Sequence, residues 1–451
     1  MLHTVPVVDE GLGNSSYVVE VDDGEAVVVD PFRDPRPYLA VARERGWRLR
    51  AALETHLHAD FVSGSRELAD AAGTELWVPR GGSTGPYPGR VLKSAGAQRL
   101  GGLAVEVVPT PGHTTEHVAF ILRAGDVPVA VFSGGTLIAG GVARPDLLGE
   151  ELTEPLARHA YRSIHERLLV LPDDTPLYPT HGPGSFCSAG PSGQRTSTIG
   201  EQRTTNPLLQ AVDEDAFVER LLGGLGTFPP YFLELRIINA AGPRIYGPNP
   251  GLPEELSPGE AEILREQGAE VIDVRSIEAF AVGHVPGSLS IALRAQFAVW
   301  LGWLVERDRD LVFVVDDSTD VDRLASEARK IGYERLAGTL AFTQWTATDR
   351  RVATVALLDS SSVTANGRHP LDVRQTAEWH AGHVTGVAHA ELGSLTERDP
   401  AVEGPLLAHC EHGERAMTAA SLLARRGHDA AAFAGGPADL AAALGEAVEA
   451  H

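Results

Sequence analysis

Apolar and polar positions alternate from the start of the chain. Tyr17-Val18-Val19-Glu20-Val21 and Ala26-Val27-Val28-Val29-Asp30 flank Asp22-Asp23-Gly24-Glu25, and two such runs around an Asp/Gly turn predict a β-hairpin. Residues 37–46 predict a helix with Pro at its start and Gly at its end, followed by a strand over 49–53. A second helix is predicted over 65–72, closed by Gly73. Strands are expected over 103–108, 117–122 and 127–132. Strands and helices mixed in this way predict sheets covered by helices. The pattern breaks at 236–253, where Ala-Ala-Gly-Pro and Gly-Pro-Asn-Pro-Gly-Leu-Pro predict a linker.

Beyond the linker the chain repeats itself. Val271-Ile272-Asp273-Val274-Arg275 returns as Pro370-Leu371-Asp372-Val373-Arg374, and Gly283-His284-Val285-Pro286-Gly287 as Gly382-His383-Val384-Thr385-Gly386. The Asp, Arg, Gly, His and Gly all return at one offset of 99 residues, the length of a small α/β domain. Three domains are therefore expected: 1–240, 255–350 and 355–451.

Composition narrows the function. The 451 residues carry 38 basic and 61 acidic side chains, a net charge of −23. Such a chain repels polyphosphate, so neither nucleic acid nor an anionic membrane is an expected partner. No apolar run is long enough to span a bilayer, and Met1-Leu2-His3-Thr4-Val5-Pro6 lacks the order of a secretory signal. The only two cysteines, Cys187 and Cys410, can form neither a disulfide framework nor a thiolate cage for zinc. A reducing, cytoplasmic compartment and a homo-oligomer are expected, and any metal must be held by His and carboxylate.

Thr55-His56-Leu57-His58-Ala59-Asp60-Phe61 follows the strand Ala51-Ala52-Leu53, and His-x-His-x-Asp on a loop is a metal-ligand spacing. Thr110-Pro111-Gly112-His113-Thr114 and Tyr178-Pro179-Thr180-His181-Gly182 repeat the design of a histidine at a strand end. One shared site explains all four histidines.

With Ser133-Gly134-Gly135-Thr136-Leu137, Arg144-Pro145-Asp146 and Gly200-Glu201-Gln202-Arg203-Thr204-Thr205-Asn206-Pro207, these segments resemble the metallo-β-lactamase fold, in particular its glyoxalase II and persulfide dioxygenase branch. The resemblance implies an αββα sandwich over about the first 240 residues, with a metal at one edge of two sheets. Two positions depart from the family. Its motif ends in Asp-His, where this chain has Phe61, and its Thr-Gly-Asp aspartate, which bridges two metals or holds a single iron, is here Gly135. A second metal would keep only Asp60 and His181. One ion on His56, His58 and His113 is therefore expected, and three neutral imidazoles suit iron(II) or, as the alternative, zinc. Cys187 is expected to be a buried thiol that could also line the pocket, and Arg203 to be structural.

Each C-terminal repeat resembles a rhodanese domain, a parallel sheet wrapped by helices. In Leu406-Leu407-Ala408-His409-Cys410-Glu411-His412-Gly413-Glu414-Arg415 a strand runs into a loop, and a helix is expected over 416–426. Backbone N–H groups curled at a helix start, with Arg415, favour a thiolate and stabilise a bound persulfide. Cys410 and Arg415 are thus the expected catalytic pair. Cysteine phosphatases resemble Cys-Glu followed by a wider gap to Arg, and Glu411 and Glu414 would repel phosphate. In the first repeat Val315 takes the place of Cys410 and Asp320 that of Arg415, so that copy is expected to be inert. His284, His383 and the Asp and Arg residues of the repeated motifs are expected to brace loops, and Trp300, Trp303 and Trp345 to pack the core.

The whole resembles an enzyme of sulfur metabolism: a metal-dependent, persulfide dioxygenase-like domain coupled to a sulfurtransferase carrying sulfane sulfur on Cys410. The substrate expected is a low-molecular-weight thiol persulfide or thiosulfate. The alternatives are a glyoxalase II-type thioester hydrolase with an attached rhodanese, and a non-catalytic persulfide carrier or sensor.

Overall fold

Alternation along the strand Glu25–Val29 sends Val27 and Val29 to one side and Ala26 and Val28 to the other, and both sides are buried. A strand buried on both faces needs a layer above and below it. In the computed structural model, which describes residues 2–92, 96–189, 193–363 and 367–450, those layers are a second sheet and a pair of helices. The chain forms two compact units, Met1–Gly251 with Arg329–Gly332, and Leu252–Ala328 with Tyr333–His451.

The first unit holds two six-stranded sheets. One runs in the order Thr4–Asp9, Asn14–Asp22, Glu25–Val29, Arg48–Leu53, Glu75–Pro79, Gly89–Leu92. The other runs Ser197–Thr198, Pro176–Pro179, Val127–Gly134, Val118–Ala124, Leu103–Pro109, Gly96–Leu100. Tyr17, Val19, Val27, Leu53 and Trp77 of the first sheet pack against Val105, Phe120 and Phe132 of the second. The outer face of the first is covered by the helices Arg36–Arg45 and Ser65–Ala72 through Tyr38, Ala42, Leu68 and Ala69. The outer face of the second is covered by Glu150–Ser163 and Glu214–Gly223 through Ala157, Ala160, Phe217 and Leu221. This is the expected αββα sandwich.

The helices end where glycine permits it: Gly46 and Gly73 cap them in the left-handed region, at φ 69° and 67°. The expected linker is corrected at its front. Arg236 to Ala241 belong to the helix Phe232–Ala241, because Phe232 and Leu235 bury against the domain and Asn239 is used by the site. Irregular chain starts only at Gly242.

The second unit contains both repeats. Strands Leu289–Ser290, Glu270–Asp273, Leu311–Val315 and Leu336–Ala341 form one parallel sheet. Strands Leu357–Leu358, Ala430–Phe433, Leu406–His409, His369–Asp372 and Ala388–His389 form the other, also parallel. The duplication extends to side chains. Arg275 binds the Asp273 carboxylate and the Gly283 carbonyl, and Arg374 does the same with Asp372 and Gly382. The Nδ1 atoms of His284 and His383 each lie 3.0 Å from a carbonyl four residues back, on Phe280 and Trp379. These are loop braces. Trp300, Trp303 and Trp345 are buried, and the first two stack with centroids 5.3 Å apart.

Candidate metal centre and thiol loop

Three strands of the first unit, Arg48–Leu53, Leu103–Pro109 and Pro176–Pro179, end in loops that carry His56, His113 and His181. Cross-sheet bonds hold these loops together: Val118 N–H donates to the Thr55 carbonyl at 2.8 Å, and Ser15 N–H to the Thr180 carbonyl at 2.8 Å. His56, His113 and His181 are buried, and each offers a ring nitrogen within 4.8 Å of the others.

The hydrogen bonds fix which nitrogen is free. Thr55 Oγ1 donates to Asp30 at 2.8 Å, so it accepts from His56 Nδ1 at 2.9 Å and leaves Nε2 with its lone pair. His113 Nδ1 donates to the Arg144 carbonyl at 2.6 Å, and its buried Nε2 has no partner. His181 Nδ1 faces the Asn14 Oδ1 acceptor at 3.2 Å, while its Nε2 lies 3.4 Å from Nε2 of His56. Three lone pairs therefore converge with no proton between them. Burial, then the neighbouring histidines, push His113 down to about 3 and His56 well below the usual imidazole range, so both rings are neutral. Tetrahedral bonds of about 2.0–2.1 Å set nitrogen donors about 3.3 Å apart, which the His56–His181 spacing meets. The donor set fits a cation.

His58 lies beside this cluster, its ring centroid 4.2 Å from that of His56. Its Nε2 lies 2.9 Å from Glu54 and 3.3 Å from Asp30. Burial alone would lower its pKa, but the Asp30 and Glu54 carboxylates outweigh that and push it up to about 10. Its Nε2 faces those carboxylates, while its buried Nδ1 has no hydrogen-bond partner. The Phe61 ring packs on it with centroids 4.2 Å apart, and Asn239 donates to the His58 and Phe61 carbonyls at 2.8 Å each. His181, expected only as a possible additional ligand, groups with His56 and His113.

Asp60 and His181 do lie together: Asp60 Oδ2 accepts from Asn14 at 2.6 Å and stands 3.3 Å from His181 Nδ1. Burial would raise the Asp60 pKa, yet His181 and Asn14 hold it well below the carboxylate range. Cys187 reaches the same place, with its sulfur within 4.8 Å of both. Gly135 lies against His113, and a Cβ there would meet His113 Cδ2 at 2.8 Å and Ala143 Cβ at 2.9 Å. It is Gly134 that needs glycine for its backbone, at φ 55°.

Three contributors escaped sequence reasoning. His117 is buried beside His56, accepts from Gly135 N–H at 3.0 Å and reaches Thr110 and Thr136 with Nδ1, so it ties loops together. Asp30 and Asn14 precede the motif in sequence and act on it through the sheet. The one available signal was their position at strand ends of a buried hairpin. Arg203 pairs with Asp173 and the Leu169 carbonyl, a structural role.

In the second unit Cys410 follows the strand Leu406–His409 and is buried, at 2 % exposure. Gly413 N–H donates to its sulfur at 3.1 Å, and Gly413, at φ 103°, caps the helix Glu414–Arg425. That helix begins two residues earlier than expected, because Gly413 turns the chain into it. Arg415 makes a two-pronged pair with Glu378 at 2.6 and 2.7 Å, and the half-buried Glu378 is held below the carboxylate range by Arg415 against the opposing effect of burial. In the first repeat Asp273 pairs with Val314, as Asp372 pairs with His409, which puts Val315 at the Cys410 position. Its loop is closed by Asp316 accepting from Ser318 N–H at 3.0 Å.

Comparisons with known proteins agree with this architecture. The metallo-beta-lactamase superfamily model matches residues 9–189, and the rhodanese-like domain model matches 257–347 and 356–443. Persulfide dioxygenase ETHE1, mitochondrial, of Homo sapiens is 32% identical over 215 residues, 47% of this chain and 77% of that protein. Hydroxyacylglutathione hydrolase of Rhodopseudomonas palustris is 32% identical over 172 residues, 37% of this chain and 62% of that enzyme's length. A metallo-beta-lactamase crystal structure from Staphylococcus aureus aligns with TM-score 0.65 and 29% identity, over 75% of this chain and 99% of that one. Two sheets between helices with histidines gathered at their strand ends, followed by a duplicated parallel-sheet unit, place this chain in the metallo-beta-lactamase superfamily, with two rhodanese-like domains attached.

Proposed function

We propose that this protein is an enzyme of sulfur metabolism in which a persulfide dioxygenase-like metal domain is coupled to a sulfurtransferase. The observation that carries this reading is the pairing, in one chain, of three converging ring nitrogens with a thiol held at a helix start. One iron(II) per chain is assigned to His56, His113 and His181, with zinc as the alternative, since imidazoles suit either ion. When bound, iron(II) supplies oxygen-activating and Lewis-acid chemistry. The chain's own part is to hold the three rings in one tautomer, through Thr55, the Arg144 carbonyl and Asn14.

Cys410 takes sulfane sulfur from a low-molecular-weight persulfide or thiosulfate. Its thiolate attacks the outer sulfur, the donor leaves as thiolate or sulfite, and Cys410 carries the sulfur as a persulfide anion. The Gly413 N–H and the helix start stabilise that anion, and Arg415, fixed by Glu378, positions the loop. A thioester hydrolase is the weaker reading, because Gly135 offers no carboxylate to bridge two ions.

Metal analysis of the purified full chain, together with oxygen uptake on added glutathione persulfide, tests the proposal. Iron with persulfide-dependent uptake is the expected result. Thioester cleavage without oxygen uptake would overturn it.

A further inference from the structure

The first repeat has no thiol, but it has a cavity where the second repeat holds one. In each parallel sheet two neighbouring central strands send the chain off in opposite directions, and a crevice opens at their carboxyl ends. In the second repeat those strands are His369–Asp372 and Leu406–His409, and Cys410 follows the latter. In the first they are Glu270–Asp273 and Leu311–Val315. The loops that follow them, with residues 292–294, line a cavity of about 480 Å³. Small-molecule sites span about 300–1,000 Å³, so the space suits a ligand larger than thiosulfate.

The cavity reaches the reactive loop. His412 and Glu414 form part of its wall, and a Cβ on Gly413 would stand 3.1 Å from Ile277 Cδ1, another wall residue. Buried hydrogen bonds tie the two repeats together: Ser290 N–H donates to Ser421 Oγ at 3.1 Å, and Thr418 Oγ1 to the Ser290 carbonyl at 2.7 Å. Charges of both signs line the space. Asp316 and Asp320 are used by their own loop, accepting from the Ser318 and Arg323 N–H groups at 3.0 Å each. Among the described residues, the Arg294 and Arg323 guanidiniums pair with no carboxylate, and the Glu278 and Glu414 carboxylates with no cation.

We infer that this cavity docks the carrier half of the sulfur donor, a zwitterionic, amino-acid-like thiol whose carboxylates meet Arg294 and Arg323 and whose ammonium meets the Glu278 and Glu414 side. A guanidinium grips a carboxylate with two parallel hydrogen bonds, which fixes orientation as well as affinity. The carboxylates of the wall repel a plain anion, so a ligand carrying both signs is selected. The copy without a thiol thereby chooses the donor that the copy with a thiol uses. The inference rests on the sulfurtransferase reading of Cys410 for its role, and on the cavity alone for binding.

Two donors test it on the full chain under nitrogen: glutathione persulfide, whose carrier has two carboxylates and one ammonium, and thiosulfate, which has no carrier. In the Arg294→Ala, Arg323→Ala double variant, the ratio of kcat/KM for glutathione persulfide to that for thiosulfate is expected to fall at least about tenfold, through KM. Equal falls for both donors, an unchanged ratio, or a wild-type chain that uses thiosulfate but not glutathione persulfide would overturn the inference. Calorimetry of reduced glutathione with Cys410→Ser protein reads binding without transfer, and the two arginine changes are expected to weaken it by a similar factor. Binding unaltered by them would place the carrier elsewhere and sink the inference. Binding that they do weaken, in a chain whose wild type moves no sulfur from either donor, would keep the docking site and overturn the sulfurtransferase reading instead.

Discussion

His58 and Phe61 stack on one another beside the histidine cluster. An apolar ring at position 61 packs on the His58 imidazole, whose Nε2 faces Asp30 and Glu54 and whose Nδ1 has no hydrogen-bond partner. His113 carries the opposite design, a donated Nδ1 and a bare Nε2. His113→Ala should therefore empty the metal site while far-ultraviolet circular dichroism stays unchanged. Retention of a full equivalent of iron after gel filtration would show that the cluster does not need it. At Gly135 the missing carboxylate cannot simply be restored. The Cβ of Gly135→Asp would press on His113 and Ala143, and overpacking of this kind costs about 1–3 kcal/mol. A lowered urea midpoint with weaker metal retention is expected. An unchanged midpoint would mean that the two neighbours yield freely.

At the scale of elements, the strand–loop–helix from Leu406 to Arg425 is one device repeated with its reactive parts kept in one copy and lost in the other. The second copy holds a thiol on a glycine N–H. The first holds Val315, with its loop closed by Asp316. Cys410→Ser should abolish sulfur transfer from thiosulfate to cyanide, since a serine oxygen cannot carry a stable sulfane sulfur. Asp317→Asn in the exposed first loop should leave transfer within about twofold, as surface changes rarely exceed about 0.5 kcal/mol. Mass spectrometry after sulfur loading should add about 32 Da, one sulfur atom, to the Cys410 peptide. The same mass on the Cys187 peptide would assign the carrier to the other unit. The loop geometry itself rests on Gly413, whose φ of 103° is one that residues with a side chain rarely adopt.

At the scale of the whole molecule, stability is tied to pH through a group behind the reactive thiol. His409 is fully buried, neither ring nitrogen has a hydrogen-bond partner, and the Asp372 carboxylate stands 3.8 Å away. Burial lowers its pKa to about 4, against the opposing pull of Asp372. The unfolded chain, with an ordinary histidine near about 6.5, binds the proton first. Stability from this group is thus complete above pH of about 6.5 and is lost as pH falls through about 4, at no more than about 1.4 kcal/mol per pH unit. Urea midpoints measured from pH 7.5 down to 4.5 should fall, and the fall should be shallower in His409→Gln. Equal slopes in the two proteins would remove His409 as the cause.

How much of this was legible before folding follows from the range of the forces involved. The hairpin around Gly24, the helix caps at Gly46 and Gly73, the duplicated Asp–Arg and Gly–His pairs and the thiol loop were all readable, because each is made by residues within a few positions of one another. The local patterns gave sheets covered by helices and a duplication, and the resemblance carried by the motifs implied the sandwich and the two parallel-sheet repeats. The choice among the histidines was not readable. His56-x-His58 looks like a chelating pair in sequence, and Asp30 and Glu54 fix the His58 ring by its Nε2. His181 joins His56 from 125 residues downstream, through a loop that only sheet pairing brings near. Cys187 could be placed near the pocket by its distance from His181, but not beside Asp60. Residue type and spacing determined which side chains could ligate or attack. Burial and cross-sheet hydrogen bonds, which depend on the packed whole, decided which lone pairs were left free to do so.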